Sequence, residues 1–343
     1  MRSNQTVIGA LHVPVNTILA APPEWQRALG TPRPGAATTS GEAGRSAGRS
    51  DWDVVDELAA FQDGDAGTVM DGDADGCLTK VKELSFYPFL EDRMFAEAAI
   101  YAKNGLRAFI LENVAAPYFA RGRQPTAIYW AMRALAARLR EEYPAGDYEI
   151  GVQILAFSDD WAMDIACRAG LDFIRCESAL FEGIRPEGRT PNAGNLARLY
   201  WRRQRWLHDY PETPVVPRVY VDLQKKHTVF IDELADLETW LSNIVFMKLE
   251  GVVVTGTGTG QPVQETDYSA ARRAIDAVKA LPYFPGDLEL PLLAGSGVSV
   301  DNIELCKRYV DKVIVGSSLK EHGYWECPLS ADRVARFMET WNR

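Results

Sequence analysis

Charged and polar side chains recur in this sequence directly after short apolar runs. A short apolar run bounded by turn-forming residues predicts a buried parallel strand. Because the strands of a parallel barrel all end at one rim, we expect these side chains to face a common pocket. The side chains concerned are His12, Glu112, Asn113, Gln153, Arg175, Glu177, Asp222, Lys226, His227 and Thr255.

The carboxylates of Glu112, Glu177 and Asp222 are predicted to converge in this pocket. Crowding in a cleft with little water raises the pKa of at least one carboxyl group, which then suits general acid–base catalysis. The same three carboxylates are the alternative ligands for Mg²⁺, although we predict no required cofactor and assign no metal ligand. His12 and His227 are further candidates for proton transfer.

Lys226 has two roles open to it. A desolvated lysine can form a Schiff base with a carbonyl substrate, and a charged lysine can bind a phosphate group. We include Lys226 among the catalytic candidates. The remaining residues at the strand ends are predicted to bind substrate. They are Asn113, Gln153, Arg175, Thr255, Gly256, Thr257 and Gly258.

Two glycine–serine turns follow the last two predicted strands. Glycine allows a ligand to approach the backbone, and free N–H groups in such turns bind anions. In TIM barrels the loops after strands seven and eight commonly bind phosphate. The alternative is that both glycines only relieve crowding where strand meets helix. The predicted phosphate-binding residues are Gly295, Ser296, Gly297, Gly316, Ser317 and Ser318.

The elements that must position these groups alternate regularly between strand and helix. Eight strand–helix units over about 250 residues predict an α/β fold of the (βα)8 TIM-barrel type. An open doubly wound sheet also alternates, but no GxGxxG follows the first strand and the glycine-rich turns follow the last three. The predicted strands are 7–12, 108–113, 148–155, 172–178, 215–225, 251–255, 291–294 and 312–315.

Residues 21–84 interrupt the alternation after the first strand. They are rich in Pro, Gly, Ala, Ser and Asp, and 31–50 is close to low complexity. This composition buries too little apolar surface to offset the entropy of ordering. We therefore predict one barrel domain over residues 1–343, with an insertion at 21–84 in the first βα loop.

Composition limits the partners. A net charge of −10 and a sequence pI near 5.1 argue against broad nucleic-acid or membrane binding and leave room for a small phosphorylated molecule.

The five cysteines show no CxxC spacing, which is typical of reduced thiols. With no signal peptide and no apolar run approaching about 18 residues, we expect a cytoplasmic protein. Trp201 and Trp206 on a predicted outer helix favour a homo-oligomer.

Several segments, in chain order, resemble the BtpA/SgcQ family. The resemblance runs from the first strand to the last helix and leaves out the insertion. It implies a TIM barrel of the ribulose-phosphate-binding type, similar to phosphoribosylanthranilate isomerase. Family members are associated with photosystem I biogenesis or lie beside sugar-utilisation genes. The segments are 8–12, 111–113, 173–175, 222–227, 254–260, 295–298 and 315–320.

The chain departs from this family pattern at two places. The insertion is not typical of the family, and Gln153 stands where an Asn is expected. Together the residues and the resemblance predict an enzyme that acts on a phosphorylated sugar or nucleotide-like molecule, as an isomerase, lyase or glycosidic hydrolase. One alternative is a non-catalytic assembly or stability factor. Another is a Schiff-base lyase or aldolase that uses Lys226.

Overall fold

A computed structural model describes most of the chain outside the predicted insertion. Lys226, His227, Thr257 and Gly258 lie outside the described residues, as does 21–73. The described residues are 5–15, 74–114, 126–156, 158–177, 179–180, 183–185, 188–189, 193–223, 229–230, 237–256, 262–282, 284, 286 and 288–343.

Parallel strands form a closed barrel in the order β1-β11-β10-β9-β7-β4-β3-β2. β1 pairs with both β2 and β11, which closes the sheet and confirms the predicted TIM barrel. In chain order the strands are β1 (Thr6–Val13), β2 (Ala108–Asn113), β3 (Glu149–Gln153), β4 (Phe173–Cys176), β5 (Gly183–Arg185), β6 (Gly188–Arg189), β7 (Arg218–Asp222), β8 (Val229–Phe230), β9 (Gly251–Val254), β10 (Leu292–Ala294) and β11 (Lys312–Val315).

Helices lie between the barrel strands and bury one face against them. In α9 the apolar residues Val334, Phe337 and Met338 are buried, the spacing expected of an amphipathic helix. Gly170 ends α4 in the left-handed conformation that glycine adopts readily. The helices are α1 (Ala74–Lys82), α2 (Tyr87–Lys103), α3 (Thr126–Glu142), α4 (Asp159–Ala169), α5 (Ala193–Asp209), α6 (Leu237–Phe246), α7 (Glu265–Lys279), α8 (Ile303–Tyr309) and α9 (Ala331–Trp341).

Alternate residues of each barrel strand point into the barrel. The inward residues of the middle layers form a separate apolar cluster: Ile8, Ala10, Ala108, Ile110, Phe173, Tyr220, Val253, Leu293 and Ile314. Two residues further along each strand, the same alternation places polar or small residues at the C-terminal end. These residues are His12, Glu112, Arg175, Asp222, Thr255, Gly295 and Gly316.

A polar network closes the opposite, N-terminal end of the barrel. Lys312, the first residue of β11, places its Nζ 2.6 and 2.8 Å from the two carboxylate oxygens of Glu149, the first residue of β3. Arg218 donates to the same carboxylate at 2.8 Å, and Lys312 Nζ lies 3.2 Å from the Tyr220 hydroxyl. The charges are therefore paired across the barrel interior.

Gly151 is required by the packing of the barrel interior. A Cβ atom there would lie 2.2 Å from the ring of Phe173, which is fully buried. Overpacking of this kind costs about 1–3 kcal/mol. We expect Gly151→Ala to lower the free energy of unfolding by that amount in urea titrations. Gly286→Ala is the matched control, since Gly286 is exposed and an added Cβ meets nothing within 4 Å. Equal stability of the two variants would contradict the packing argument.

The structure differs from the predicted elements in three places. A small antiparallel sheet of β6, β5 and β8 was not predicted, because strands of two or three residues show no apolar run. Phe230, at the start of the predicted helix over 230–249, lies in the short strand β8, and the described helix in this range is Leu237–Phe246. Within the predicted insertion, α1 buries Cys77 and Val81 in the main core. Its apolar residues are too few for the composition of the whole segment to reveal them.

The aromatic residues of α5 differ in exposure. Trp201 is half exposed, whereas Trp206 is partly buried and stacks on Tyr210 with ring centroids 4.0 Å apart. The homo-oligomer therefore stays a prediction. Over the part of the chain that the structure describes, no helix is long and apolar enough to cross a membrane.

Candidate functional site

Arg175 lies at the centre of the C-terminal end of the barrel. Its Nε donates to Asp222 Oδ1 at 2.9 Å, and its Nη1 lies 3.5 Å from Glu112 Oε1. All three side chains are buried. Burial alone would lower the pKa of the guanidinium, but the two carboxylates outweigh it and raise that pKa above its ordinary value. Arg175 is thus a fixed positive charge between two carboxylates.

His12 extends this arrangement to β1. The register of β1 and β2 places His12 opposite Glu112, and His12 Nε2 lies 3.6 Å from Glu112 Oε2. Glu112 therefore lies between an imidazole and a guanidinium. Three of the predicted catalytic residues, namely His12, Glu112 and Asp222, thus form one connected group with Arg175.

Gly295 and Gly316 make room for this group. A Cβ atom at Gly316 would lie 2.9 Å from His12 Nε2, and one at Gly295 would lie 3.1 Å from Arg175 Nη2 and 2.4 Å from Val253 Cγ1. The contacts support the alternative role of relieving crowding, here around His12 and Arg175. The phosphate-binding role of the two glycines stays a prediction.

The two glycine–serine turns lie side by side. Ser318 Oγ donates to the carbonyl of Val298 at 2.6 Å, which joins the turn after β11 to the turn after β10. Gly297 adopts a positive φ of 65°, and the Asn302 amide donates to its carbonyl at 2.8 Å. The two turns that carry the predicted phosphate-binding residues are therefore in contact, and the phosphate-binding role of those residues stays a prediction.

The Asn113 side chain forms two hydrogen bonds with the backbone of the segment that follows β3. Its Nδ2 donates to the Leu155 carbonyl and its Oδ1 accepts from the Leu155 N–H, both at 2.6 Å. The amide thus holds the segment that follows β3. Gln153, its neighbour on the rim, pairs in register with Glu112 and is buried. The substrate-binding roles of both residues stay predictions.

Glu177 follows β4 and is buried next to an aspartate that the sequence reasoning missed. The backbone N–H of Glu177 donates to Asp159 Oδ1 at 2.9 Å. Burial, and then the charge of Glu177, raise the pKa of Asp159 to about 7. Asp159 begins α4, and an acidic residue at a helix N-terminus is so common that its sequence position gave no functional signal.

Other predicted residues are placed only in part. Thr255 is half-buried directly after β9, and its Cγ2 would lie 3.2 Å from a Cβ atom added at Gly295. Lys226, His227, Thr257 and Gly258 lie outside the described residues, so the Schiff-base alternative stays a prediction. Within the described ranges, no three His, Cys, Asp or Glu side chains come together as a metal site.

A buried ion pair anchors the loop after β11. Lys320 is fully buried, and its Nζ donates to the Glu97 carboxylate of α2. Burial lowers the pKa of Lys320 from its ordinary value, although Glu97 opposes the shift. Lys320 ends the segment that carries Ser317 and Ser318, so the pair ties the second glycine–serine turn to the outer helix layer.

A model of the BtpA family matches residues 89–343. The chain belongs to the BtpA family. The match begins in α2 and includes every barrel strand except β1, which carries His12. The family predicted from the sequence is thereby confirmed.

Two relatives each match about 250 residues of this chain. A mitochondrial protein of Caenorhabditis elegans is 28% identical over 253 residues, which is 72% of this chain and 82% of that protein. The photosystem I biogenesis protein BtpA of Synechocystis is 27% identical over 249 residues, which is 72% of this chain and 78% of that protein.

Solved structures that resemble this BtpA-family chain share low sequence identity with it. Phosphoribosyl anthranilate isomerase from Thermus thermophilus has a TM-score of 0.42 at 12% identity and covers 72% of this chain and 93% of its own. KGPDC from Streptococcus mutans has a TM-score of 0.43 at 13% identity and covers 72% of this chain and 92% of its own.

Proposed function

We propose that this BtpA-family protein is an enzyme that acts on a phosphorylated sugar or nucleotide-like molecule by acid–base chemistry, as an isomerase, lyase or glycosidic hydrolase. The observation that carries the proposal is the connected group of His12, Glu112, Arg175 and Asp222 at one end of the barrel. This group joins four titratable side chains from four strands at the C-terminal end of the barrel, which is the end that carries the active site in TIM-barrel enzymes.

The roles follow from the chemistry of each group. His12 and Glu112 transfer protons, because imidazole and carboxylate side chains are the common general acids and bases of enzymes. Arg175 supplies a fixed positive charge that stabilises developing negative charge on substrate oxygen. The hydroxyls of Ser296 and Ser317 and backbone N–H groups of the two glycine–serine turns bind the phosphate, whereas the Ser318 hydroxyl donates to the Val298 carbonyl and holds the turns together.

A charge placed in the second turn tests the phosphate site. Ser317→Asp puts a carboxylate beside the proposed phosphate, and repulsion between like charges should weaken binding of ribose 5-phosphate at least about tenfold. Thr266→Asp, an exposed substitution in the first turn of α7, is the control for the change in net charge. Isothermal titration calorimetry measures both. Equal affinities for the two variants would refute the phosphate site.

The Synechocystis relative supports a second candidate function. Its name describes a photosystem I biogenesis protein, and a non-catalytic assembly factor would need the barrel surface rather than the polar group inside it. Glu112→Gln separates the two functions, because it removes a carboxylate from the group and changes no outer helix. If the Glu112→Gln variant still performs the protein's role in the cell, the assembly factor is favoured. If a folded Glu112→Gln variant no longer performs it, the enzyme is favoured.

A further inference from the structure

Asp159 is a buried carboxyl group beside the candidate site that the proposed roles leave unused. Its side chain is fully buried at the start of α4. Oδ1 accepts the N–H of Glu177 at 2.9 Å, whereas Oδ2, among the described residues, accepts no hydrogen bond. A buried, ionised carboxylate with an unpartnered oxygen is costly, and a protonated carboxyl group avoids most of that cost.

The groups around Asp159 disfavour its ionised form on balance. Burial is the largest effect and the charge of Glu177 is the second, whereas the Glu177 N–H and the Cys176 thiol favour ionisation and Asp160 opposes it. From α5, Arg202 faces this region, but its Nη2 lies 3.5 Å from Asp160. Arg175, the nearby cation of β4, is already held by two carboxylates.

We propose that Asp159 and Glu177 share one proton at neutral pH and that Asp159 is the positioning residue that keeps Glu177 available for proton transfer to and from the substrate. Two neighbouring buried carboxyl groups cannot both ionise cheaply, so one of them keeps its proton. During turnover Glu177 accepts a proton from the substrate, the pair then holds two protons, and one returns to the product. This role rests on the proposed function, whereas the shared proton does not.

The shared proton should make the stability of the folded protein depend on pH. The pKa of Asp159 in the folded chain is about 7, and an unfolded aspartate titrates near 3.9. Between these values the folded state binds more protons, so stability falls as pH rises towards 7. We therefore expect the melting temperature of Asp159→Asn, minus that of the unmodified protein, to increase as the pH is raised from 5 to 8. For the exposed Asp267→Asn variant, the difference in melting temperature from the unmodified protein should stay constant over this pH range.

Infrared difference spectra give a second, direct measurement. At pH 6 the unmodified protein should show the C=O stretch of a protonated carboxyl group that Asp159→Asn lacks. A constant difference in melting temperature together with no such band would overturn the shared proton. If the band is present and no phosphorylated sugar binds, the proposed function fails and the carboxyl pair stands.

The positioning role has its own readout once a substrate is turned over. Asp159→Asn should move the acidic limb of the kcat profile with pH and leave KM unchanged, because Asp159 is fully buried and acts through Glu177. A merely structural residue would change stability without moving the profile. An unchanged profile in a folded variant would overturn the positioning role.

Discussion

Lys320→Met is expected to lower the free energy of unfolding by about 3–5 kcal/mol, because it leaves the buried carboxylate of Glu97 without its closest cation. Lys320 is fully buried, and among the described residues Arg93, with its Nε 3.5 Å from Glu97, remains to compensate the charge. Equilibrium unfolding in urea at pH 8 measures the loss, since Glu97 cannot then escape the penalty by taking up a proton cheaply.

Two further variants separate the loss of pairing from the loss of packing. Glu97→Gln combined with Lys320→Met removes both charges and should recover most of the lost stability. Lys103→Met, an exposed substitution on the same helix as Glu97, should be nearly neutral. The charge argument fails if the double variant is no more stable than Lys320→Met alone.

Arg175→Met should be about as destabilising as Lys320→Met, with a loss of about 3–5 kcal/mol near pH 8. The substitution leaves Glu112 and Asp222 buried without the guanidinium that pairs with both. Urea titrations at pH 8 measure the loss.

Two control variants test whether the effect of Arg175→Met comes from the lost charge and the lost geometry of the guanidinium. Arg175→Lys keeps the positive charge but cannot reach two carboxylates with a planar fork of donors, so it should recover only part of the stability. Arg198→Met removes an exposed arginine from α5 and should change stability little. An Arg175→Met variant as stable as Arg198→Met at pH 8 would show that the carboxylates do not depend on Arg175.

The sequence was informative where a single run of residues decides the structure. The apolar run 108–113 corresponds residue for residue to β2, and the run 312–315 to β11. The period of two along a strand then decides which side chains point inward, so His12 and Glu112 could be placed at the barrel end before any coordinates. These predictions need only local information.

Features that depend on distant contacts could not be predicted in this way. Gly295 faces Arg175 from another strand, so the sequence showed the glycine but not what occupies the space beside it. Asp159 is adjacent to Glu177 only because α4 begins next to the end of β4. The pairing of β5 with β8 likewise joins segments more than 40 residues apart, for which neither short strand carries a signal.

The closed N-terminal end of the barrel has a kinetic consequence. Lys312 and Glu149 bridge that end, and the apolar cluster fills the interior above them, so the barrel is not a passage. Under the proposed function, a substrate that reaches Arg175 and the product formed there would use the same entrance, one after the other. Product would then compete with substrate for the site, and we expect it to act as a competitive inhibitor.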